Sequence, residues 1–328
     1  MTILVTGGAG YIGSHTVAEL VDKGYEVVVI DNLEKGHRQA ILGGRFYQGD
    51  LKDTDFLDHV FSNHNIQAII HFAAYSLVGE SMEDPAKYYN NNVVLGLNLL
   101  NKMMEYNTKY IVFSSTAAVY GQPKAIPITE EDAVEPTNPY GETKLSVERA
   151  LKWYEGAYGI KYISLRYFNA AGAHIDGRIG EDHNPESHLI PIVLEAALGK
   201  RDKVYIFGDD YDTDDGTCVR DYIHVTDLAD AHIKALDYLT KGGPSDVFNL
   251  GNGKGFSVKE IINIARKVTG VDIQWETAPR RAGDPAVLVA SSEKARQCLG
   301  WQPRYGDIST IIETAWNWHK TNPKGYNE

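Results

Sequence analysis

Residues 3–6 (ILVT) form a short aliphatic run that passes directly into the glycine-rich stretch TGGAGYIG. This junction constrains the fold more than any other part of the chain. Gly7, Gly10 and Gly13 stand at G-x-x-G-x-x-G spacing between a strand-like segment and a helix predicted over 10–23. The first glycine permits a tight turn. The second lets backbone approach a pyrophosphate, and the third lets helix and strand pack closely. The helix N-terminus, around Tyr11 and Ile12, offers unpaired N–H groups and a partial positive charge to phosphate. Such a unit opens a sheet with a dinucleotide site at its edge.

The next 160 residues repeat the theme. Strand-like runs at 26–30, 68–72, 110–115 and 161–168 alternate with helical patterns at 54–63, 85–106 and 140–158. The runs lack strict polar alternation, which suits strands covered on both faces. Alternating β and α implies an α/β fold with a Rossmann-type doubly wound parallel sheet. After Asn169 the texture changes. A Gly-, His-, Pro- and acid-rich stretch at 174–187 reads as a surface loop over a site. Helices are expected at 189–198, 225–239, 258–269 and 308–320, with a strand at 204–207 and a loop at 208–216. The chain thus divides into a cofactor domain at 1–170 and a smaller C-terminal α/β substrate domain at 171–328. Some of the latter's segments, such as 246–251, are expected to return to the large sheet.

Composition excludes several classes. Cys218 and Cys298 match neither a metal spacing nor a disulfide framework. The N-terminus lacks the charged and apolar regions of a signal peptide, and no run of eighteen apolar residues exists. A cytoplasmic location without membrane contact is expected. A net charge of −12 argues against a nucleic-acid partner.

Three strand ends carry candidate cofactor residues. Asp31 ends the second strand, eighteen residues past Gly13, where a carboxylate accepts from ribose hydroxyls and repels the extra phosphate of NADP. NAD is therefore the expected cofactor. Asp50, followed by Leu51, is placed to meet the adenine amino group. Phe72, Ala73 and Ala74 let backbone run beside the dinucleotide. Tyr140 and Lys144 form Y-x-x-x-K at a helix start, and the i, i+4 spacing puts both on one face. A nearby ammonium and an oxidised nicotinamide are expected to lower the Tyr140 pKa and make it a base. Thr116, near the end of the strand at 110–115, supplies a hydroxyl able to bridge substrate and Tyr140.

TGGAGYIGSH, Asp31-Asn32, SSTAAVYG, NPYGETK and RYFNAAGAH resemble the extended short-chain dehydrogenase/reductase family. GTCVRDYIHVTDLADAH and PRRAGDPA narrow the resemblance to its UDP-glucose 4-epimerases, and the match spans essentially the whole chain. It implies interconversion of UDP-glucose and UDP-galactose by transient oxidation at sugar C4, with Tyr140 as base, Lys144 as its electrostatic partner and Thr116 as relay. It adds Asn32, Asn91 and Phe168 to the cofactor contacts. It assigns Asn169, His188, Leu189, Tyr205, Phe207, Arg220, Arg281 and Asp284 to the nucleotide sugar. Arginine presents a fixed fork suited to phosphate oxygens; without the resemblance, Arg220 and Arg281 read as surface residues paired with Asp221 or Asp284.

The departures from the family pattern are Ser76, where many members carry lysine, and Thr116, where serine is common. The sugar-pocket wall is Leu288, intermediate in size, which leaves N-acetylated sugars open. A dehydratase would need an Asp-Glu pair after Thr116; Ala117 and Ala118 cannot transfer protons. A ketoreductase would need NADPH, against which Asp31 weighs, and a non-catalytic NAD sensor would not need the intact Thr116–Tyr140–Lys144 set. His183 and His188 match no familiar ligand spacing, and the family needs no metal, so both read as loop residues. The resemblance implies a homodimer, with 85–106 and 140–158 as plausible interface helices.

Overall fold

The computed structural model describes residues 1–281 and 284–326. Its strands are β1 (Thr2–Thr6), β2 (Glu26–Asp31), β3 (Arg45–Gln48), β4 (Ile66–His71), β5 (Tyr110–Thr116), β6 (Lys161–Tyr167), β7 (Asn169–Ala171), β8 (Val204–Phe207), β9 (Val219–His224), β10 (Asp246–Leu250), β11 (Gly255–Ser257), β12 (Trp275–Ala278) and β13 (Val287–Leu288). The helices are α1 (Tyr11–Asp22), α2 (Thr54–Asn63), α3 (Val78–Glu83), α4 (Pro85–Tyr88), α5 (Leu95–Glu105), α6 (Pro139–Tyr158), α7 (Leu189–Ala197), α8 (Val225–Thr240), α9 (Val258–Thr269), α10 (Glu293–Leu299) and α11 (Ile308–Thr321).

The unpatterned apolar runs become strands buried on both faces. In β1, Ile3 and Val5 face one helical layer and Leu4 the other, all fully buried. α1 and α8 cover the first face through Val17, Leu20, Leu228 and Leu236. α2, α5 and α6 cover the second through Leu57, Val60, Leu99, Met103, Val147 and Leu151. Each such side chain contributes roughly 1.5–3 kcal/mol relative to exposure, so this two-sided core dominates stability.

Seven strands lie in the order β10-β6-β5-β4-β1-β2-β3, and each neighbouring pair is parallel. The chain winds outward in opposite directions from β1 and β4, opening a crevice at their carboxyl ends. β10 joins this sheet beside β6, as expected for 246–251. The remaining strands form a small sheet around β9, flanked by β7, β11 and β13, and a separate β8–β12 pair. α7, α9 and α11 share a second core there with Ile190, Leu194, Ile261, Ile311 and Ile312.

Two local expectations differ from the structure. The predicted helix over 85–106 is interrupted by a π-helical segment, Tyr89–Val94. The Asn92 amide is the physical reason: its side chain accepts from the Tyr75 backbone N–H at 2.8 Å, and it donates to the Tyr75 carbonyl and the Thr143 hydroxyl, both at 3.0 Å. Satisfying three partners off the helix favours the wider turn. The stretch 174–187 is also less superficial than expected. Ile179 and Glu181 are buried, and the Tyr326 hydroxyl bonds the backbone of Gly180.

His15 and His71 are pushed down to about 3, and His224 and His232 to about 4, chiefly by burial. Each therefore stays neutral when folded but takes up a proton when unfolded below about pH 6.5. Their stabilising contribution is present above that value and is lost as pH falls, by up to about 1.4 kcal/mol per unit for each. Urea unfolding at pH 6 and pH 5 is expected to show a clear loss of stability; equal midpoints would contradict it.

Candidate active site

The glycine turn sits between β1 and β4. Gly7 has φ +72°, and a Cβ there would lie 2.6 Å from the Ala73 nitrogen. A Cβ at Gly13 would run into the Gly7 carbonyl oxygen. At Gly10, by contrast, the only neighbour a Cβ would meet is that same oxygen at 3.4 Å, so the N-terminus of α1 is open to an approaching group. Phe72 and Ala73 both donate to the Thr6 carbonyl, which seats them beside the turn. The Phe72 ring packs on His232 with centroids 4.6 Å apart, and Ala74 follows, half-buried.

Asp31 closes β2 and reaches the same turn. Its Oδ2 accepts from the Ala9 N–H at 2.9 Å and its Oδ1 from the Leu33 N–H at 2.8 Å. Burial raises its carboxyl pKa. Asn32 donates to Asp50 Oδ2 at 3.3 Å, linking the ends of β2 and β3, and Leu51 beneath them is buried. Asn91 lies in the π segment and donates to Asn92 at 3.2 Å.

A second cluster forms where β5 ends against α6. Asn138 caps α6 by accepting from the Gly141 N–H, and Pro139 occupies the first turn, so Tyr140 projects from the helix start. The Thr116 side chain lies near enough to Tyr140 to act on its phenol. Burial pushes the Tyr140 phenol up, and the neighbouring Thr116 hydroxyl works in the opposite direction. In the protein alone, desolvation outweighs the stabilisation of phenolate; the expected lowering includes the charge of an oxidised nicotinamide. Lys144 is buried, and its Nζ donates to the Ser114 carbonyl at 2.8 Å. Burial lowers Lys144 to about 7, with Glu148 opposing.

Sequence reasoning missed the support under this cluster. Glu148, one turn beyond Lys144, accepts from Arg166 Nε at 3.0 Å and Nη2 at 2.6 Å, and from the Ser115 hydroxyl. Arg166 also donates to the Tyr120 hydroxyl at 2.9 Å. Tyr167 bonds Ser114 through their hydroxyls. The signal was present as the polar residues Ser114, Ser115 and Arg166 inside otherwise apolar strands.

The residues assigned to a nucleotide sugar fall into two groups. Arg220 pairs with Asp284 and donates to the Val219 carbonyl at 2.7 Å. The Arg281 guanidinium lies 4.2 Å from the Phe207 ring centroid. Tyr205 and Phe207 share the exposed face of β8. The carboxylate that pairs with Arg220 is thus Asp284; Asp221 is fully buried and accepts from the backbone of Asn252, Gly253 and Ala290. Asn169 donates to the Asp221 carbonyl at 2.9 Å. Phe168 and Leu288 pack on one small cluster with Tyr120 and Leu145, linking this arm to the β5–α6 junction.

His188 and Leu189 form the second group, at the start of α7. His188 is not an isolated loop residue. The fold gathers Glu181, His183, Glu186 and His188 so that one ligand-type atom of each lies within 4.8 Å of the others. Burial acts to lower the two imidazoles, but the carboxylates outweigh it and push His183 up to about 9 and His188 to about 10. Tyr11 anchors this loop to the glycine turn: its hydroxyl donates to the Gly172 carbonyl at 2.6 Å and its ring meets His183 edge-on.

Comparison with known proteins places the chain in a family. Residues 3–251 match the model of the NAD dependent epimerase/dehydratase family. The chain is 61% identical to the UDP-glucose 4-epimerase of Halalkalibacterium halodurans, over 99% of this chain and 98% of that protein. A crystal structure of a UDP-glucose 4-epimerase superposes with TM-score 0.98 at 59% identity, covering all of both chains. The Bifidobacterium longum UDP-glucose 4-epimerase, solved with NAD⁺ and UDP, superposes with TM-score 0.95 at 42% identity, covering 99% of this chain and 100% of that one. The chain belongs to the NAD dependent epimerase/dehydratase family, in its UDP-glucose 4-epimerase branch.

Proposed function

We propose that this protein interconverts UDP-glucose and UDP-galactose, using NAD held in the crevice between β1 and β4. The observation that carries the reading is the gathering of Thr116, Tyr140 and Lys144 where β5 ends against α6, beside a glycine turn that fits a dinucleotide. The open backbone at Gly10, the tight contacts at Gly7 and Gly13, and the Asp31 carboxylate suit the pyrophosphate and ribose of NAD. Tyr11, Ile12, Asn32, Asp50, Leu51, Phe72, Ala73, Ala74, Asn91 and Phe168 complete that cradle. When bound, NAD supplies the hydride acceptor and a positive ring that favours phenolate.

The chain's own residues do the proton work. Tyr140 removes the proton from the sugar 4-hydroxyl, with Thr116 relaying between substrate and phenol. Lys144, held on the Ser114 carbonyl, stabilises the phenolate that results. Arg220 and Arg281 hold the diphosphate, and Asp284 accepts from the uridine ribose. Asn169, His188, Leu189, Tyr205 and Phe207 enclose the rest of the nucleotide. Anchoring the nucleotide leaves the sugar free to turn about the diphosphate and present its other face to the returning hydride. Residues 171–328 thus supply most of the substrate contacts and 1–170 the cofactor site.

The same reading includes a cytoplasmic homodimer. Among the described residues no helix is long and apolar enough to cross a membrane. α6 exposes Trp153 and Tyr158, and the helical run before it exposes Tyr89, Val94 and Met104, an apolar set suited to a second copy.

Purified protein incubated with UDP-galactose and no added cofactor is expected to yield UDP-glucose by NMR. UDP-N-acetylgalactosamine in parallel tests the wall at Leu288. Tyr140→Phe is expected to lower kcat by roughly 10²–10⁴ while leaving the circular dichroism spectrum unchanged; near-parental turnover would remove Tyr140 from the chemistry. Trp153→Asp is expected to shift the sedimentation coefficient from dimer toward monomer, and an unchanged value would move the interface elsewhere.

A further inference from the structure

Outside the proposed reaction, one cluster has the composition and spacing of a cation site. Glu181, His183, Glu186 and His188 lie in one eight-residue stretch, and no step assigned above uses His183, Glu181 or Glu186. His188 Nδ1 lies 2.8 Å from Glu181 Oε1 and 3.3 Å from Glu186 Oε1. His183 Nδ1 lies 3.2 Å from the same Glu181 oxygen and 3.8 Å from Glu186 Oε2. A tetrahedral ion with bonds of about 2.0–2.2 Å has ligand–ligand edges of roughly 3.3–3.6 Å. The two distances to Glu181 Oε1 are slightly shorter than such an edge, and the two to Glu186, made through its two different oxygens, are close to it.

Direction matters as much as distance. The Glu181 side chain is 3% exposed, yet its Oε1 has no hydrogen-bond partner among the described residues, and neither does His183 Nδ1 beside it. Two buried polar atoms thus approach within ion-pair range without an N–H aimed along the line between them. Buried polar atoms ordinarily find such partners, so the exception points to a shared occupant. In the metal-free protein the protonated imidazoles balance the two carboxylates; a divalent ion displaces those protons and balances the same charge. The nitrogen–oxygen donor set suits zinc-like borderline ions rather than magnesium or calcium.

We infer that Glu181, His183, Glu186 and His188 bind one divalent transition-metal cation of the zinc or cobalt class. The ion staples the loop between β7 and α7 to itself, and through the Tyr11–His183 ring contact to the glycine turn. His188 is shared with the proposed nucleotide site, so the inference is decided on metal binding and on variants of His183 and Glu186, which that reading does not use.

The test uses the full-length protein, treated with a chelator, dialysed, and titrated with Co²⁺. One equivalent per chain is expected to produce visible d–d bands of tetrahedral intensity, bleached by added Zn²⁺. Melting temperature is expected to rise with Co²⁺ concentration, as linkage requires for a ligand of the folded state. His183→Gln and Glu186→Gln are each expected to weaken Co²⁺ binding by at least roughly tenfold. Two variants are used so that a folding failure in one, seen by circular dichroism, leaves the other to decide. Absence of bands and of a melting shift in the parent overturns the inference and leaves a proton-balanced ion-pair cluster. Undiminished affinity in a folded variant overturns it equally, placing any bound metal elsewhere.

Discussion

Gly13 lies so close to the Gly7 carbonyl oxygen that no Cβ fits between α1 and the end of β1. That approach fixes the start of α1 over the crevice between β1 and β4, and several placements follow from it. Ala9 can reach the Asp31 carboxylate from the next strand. Ala73, at the end of β4, can close against Gly7. Tyr11 projects across the crevice to the Gly172 carbonyl, so the first turn of the first helix holds a loop more than 150 residues later. A side chain at either glycine would not merely weaken a ligand contact; it would push the first helix off the sheet.

The second organising element is ionic and lies on the other side of the crevice. Glu148 and Arg166 form a two-point pair, each under a tenth exposed. Removing one partner of such a pair typically costs 3–5 kcal/mol, because the other is left buried and charged. Its location gives it a use beyond stability. Glu148 stands one turn from Lys144 on α6, and its Ser115 contact is adjacent to Thr116 on β5. The pair therefore ties together the helix that carries Tyr140 and Lys144 and the strand that carries Thr116. The distance between the base and its relay is set by groups that touch neither.

The doubly wound sheet was legible because its strands are apolar on both sides and its first turn is written in glycine. The return of β10 was legible for the same reason: 246–250 reads like the other buried strands. The candidate site was legible where chemistry demands a residue type at a fixed spacing, as with Tyr140, Lys144 and Asp31. Three things were not. The π segment at 89–94 depends on Asn92 meeting Tyr75 and Thr143, one of which is 51 residues away. The raised phenol of Tyr140 depends on how much protein surrounds it, which spacing does not report. The gathering of Glu181, His183, Glu186 and His188 depends on the path of an irregular loop, where neither helical nor strand periodicity constrains which side chains meet.

The position of β10 bears on how the chain acquires its shape during synthesis. The first six strands of the large sheet are complete by residue 167, but β6 gains its outer neighbour only when residues 246–250 arrive. Until then β6 presents a bare row of backbone donors and acceptors, and Phe248 and Leu250 are missing from the core they later fill. The family match likewise runs to residue 251, one residue past this strand. A nascent chain halted before this point is an open sheet rather than a small finished domain, and any partner able to pair with a strand edge has an opportunity there. The late segment is a closing seam that joins the second half of the chain to the sheet built by the first.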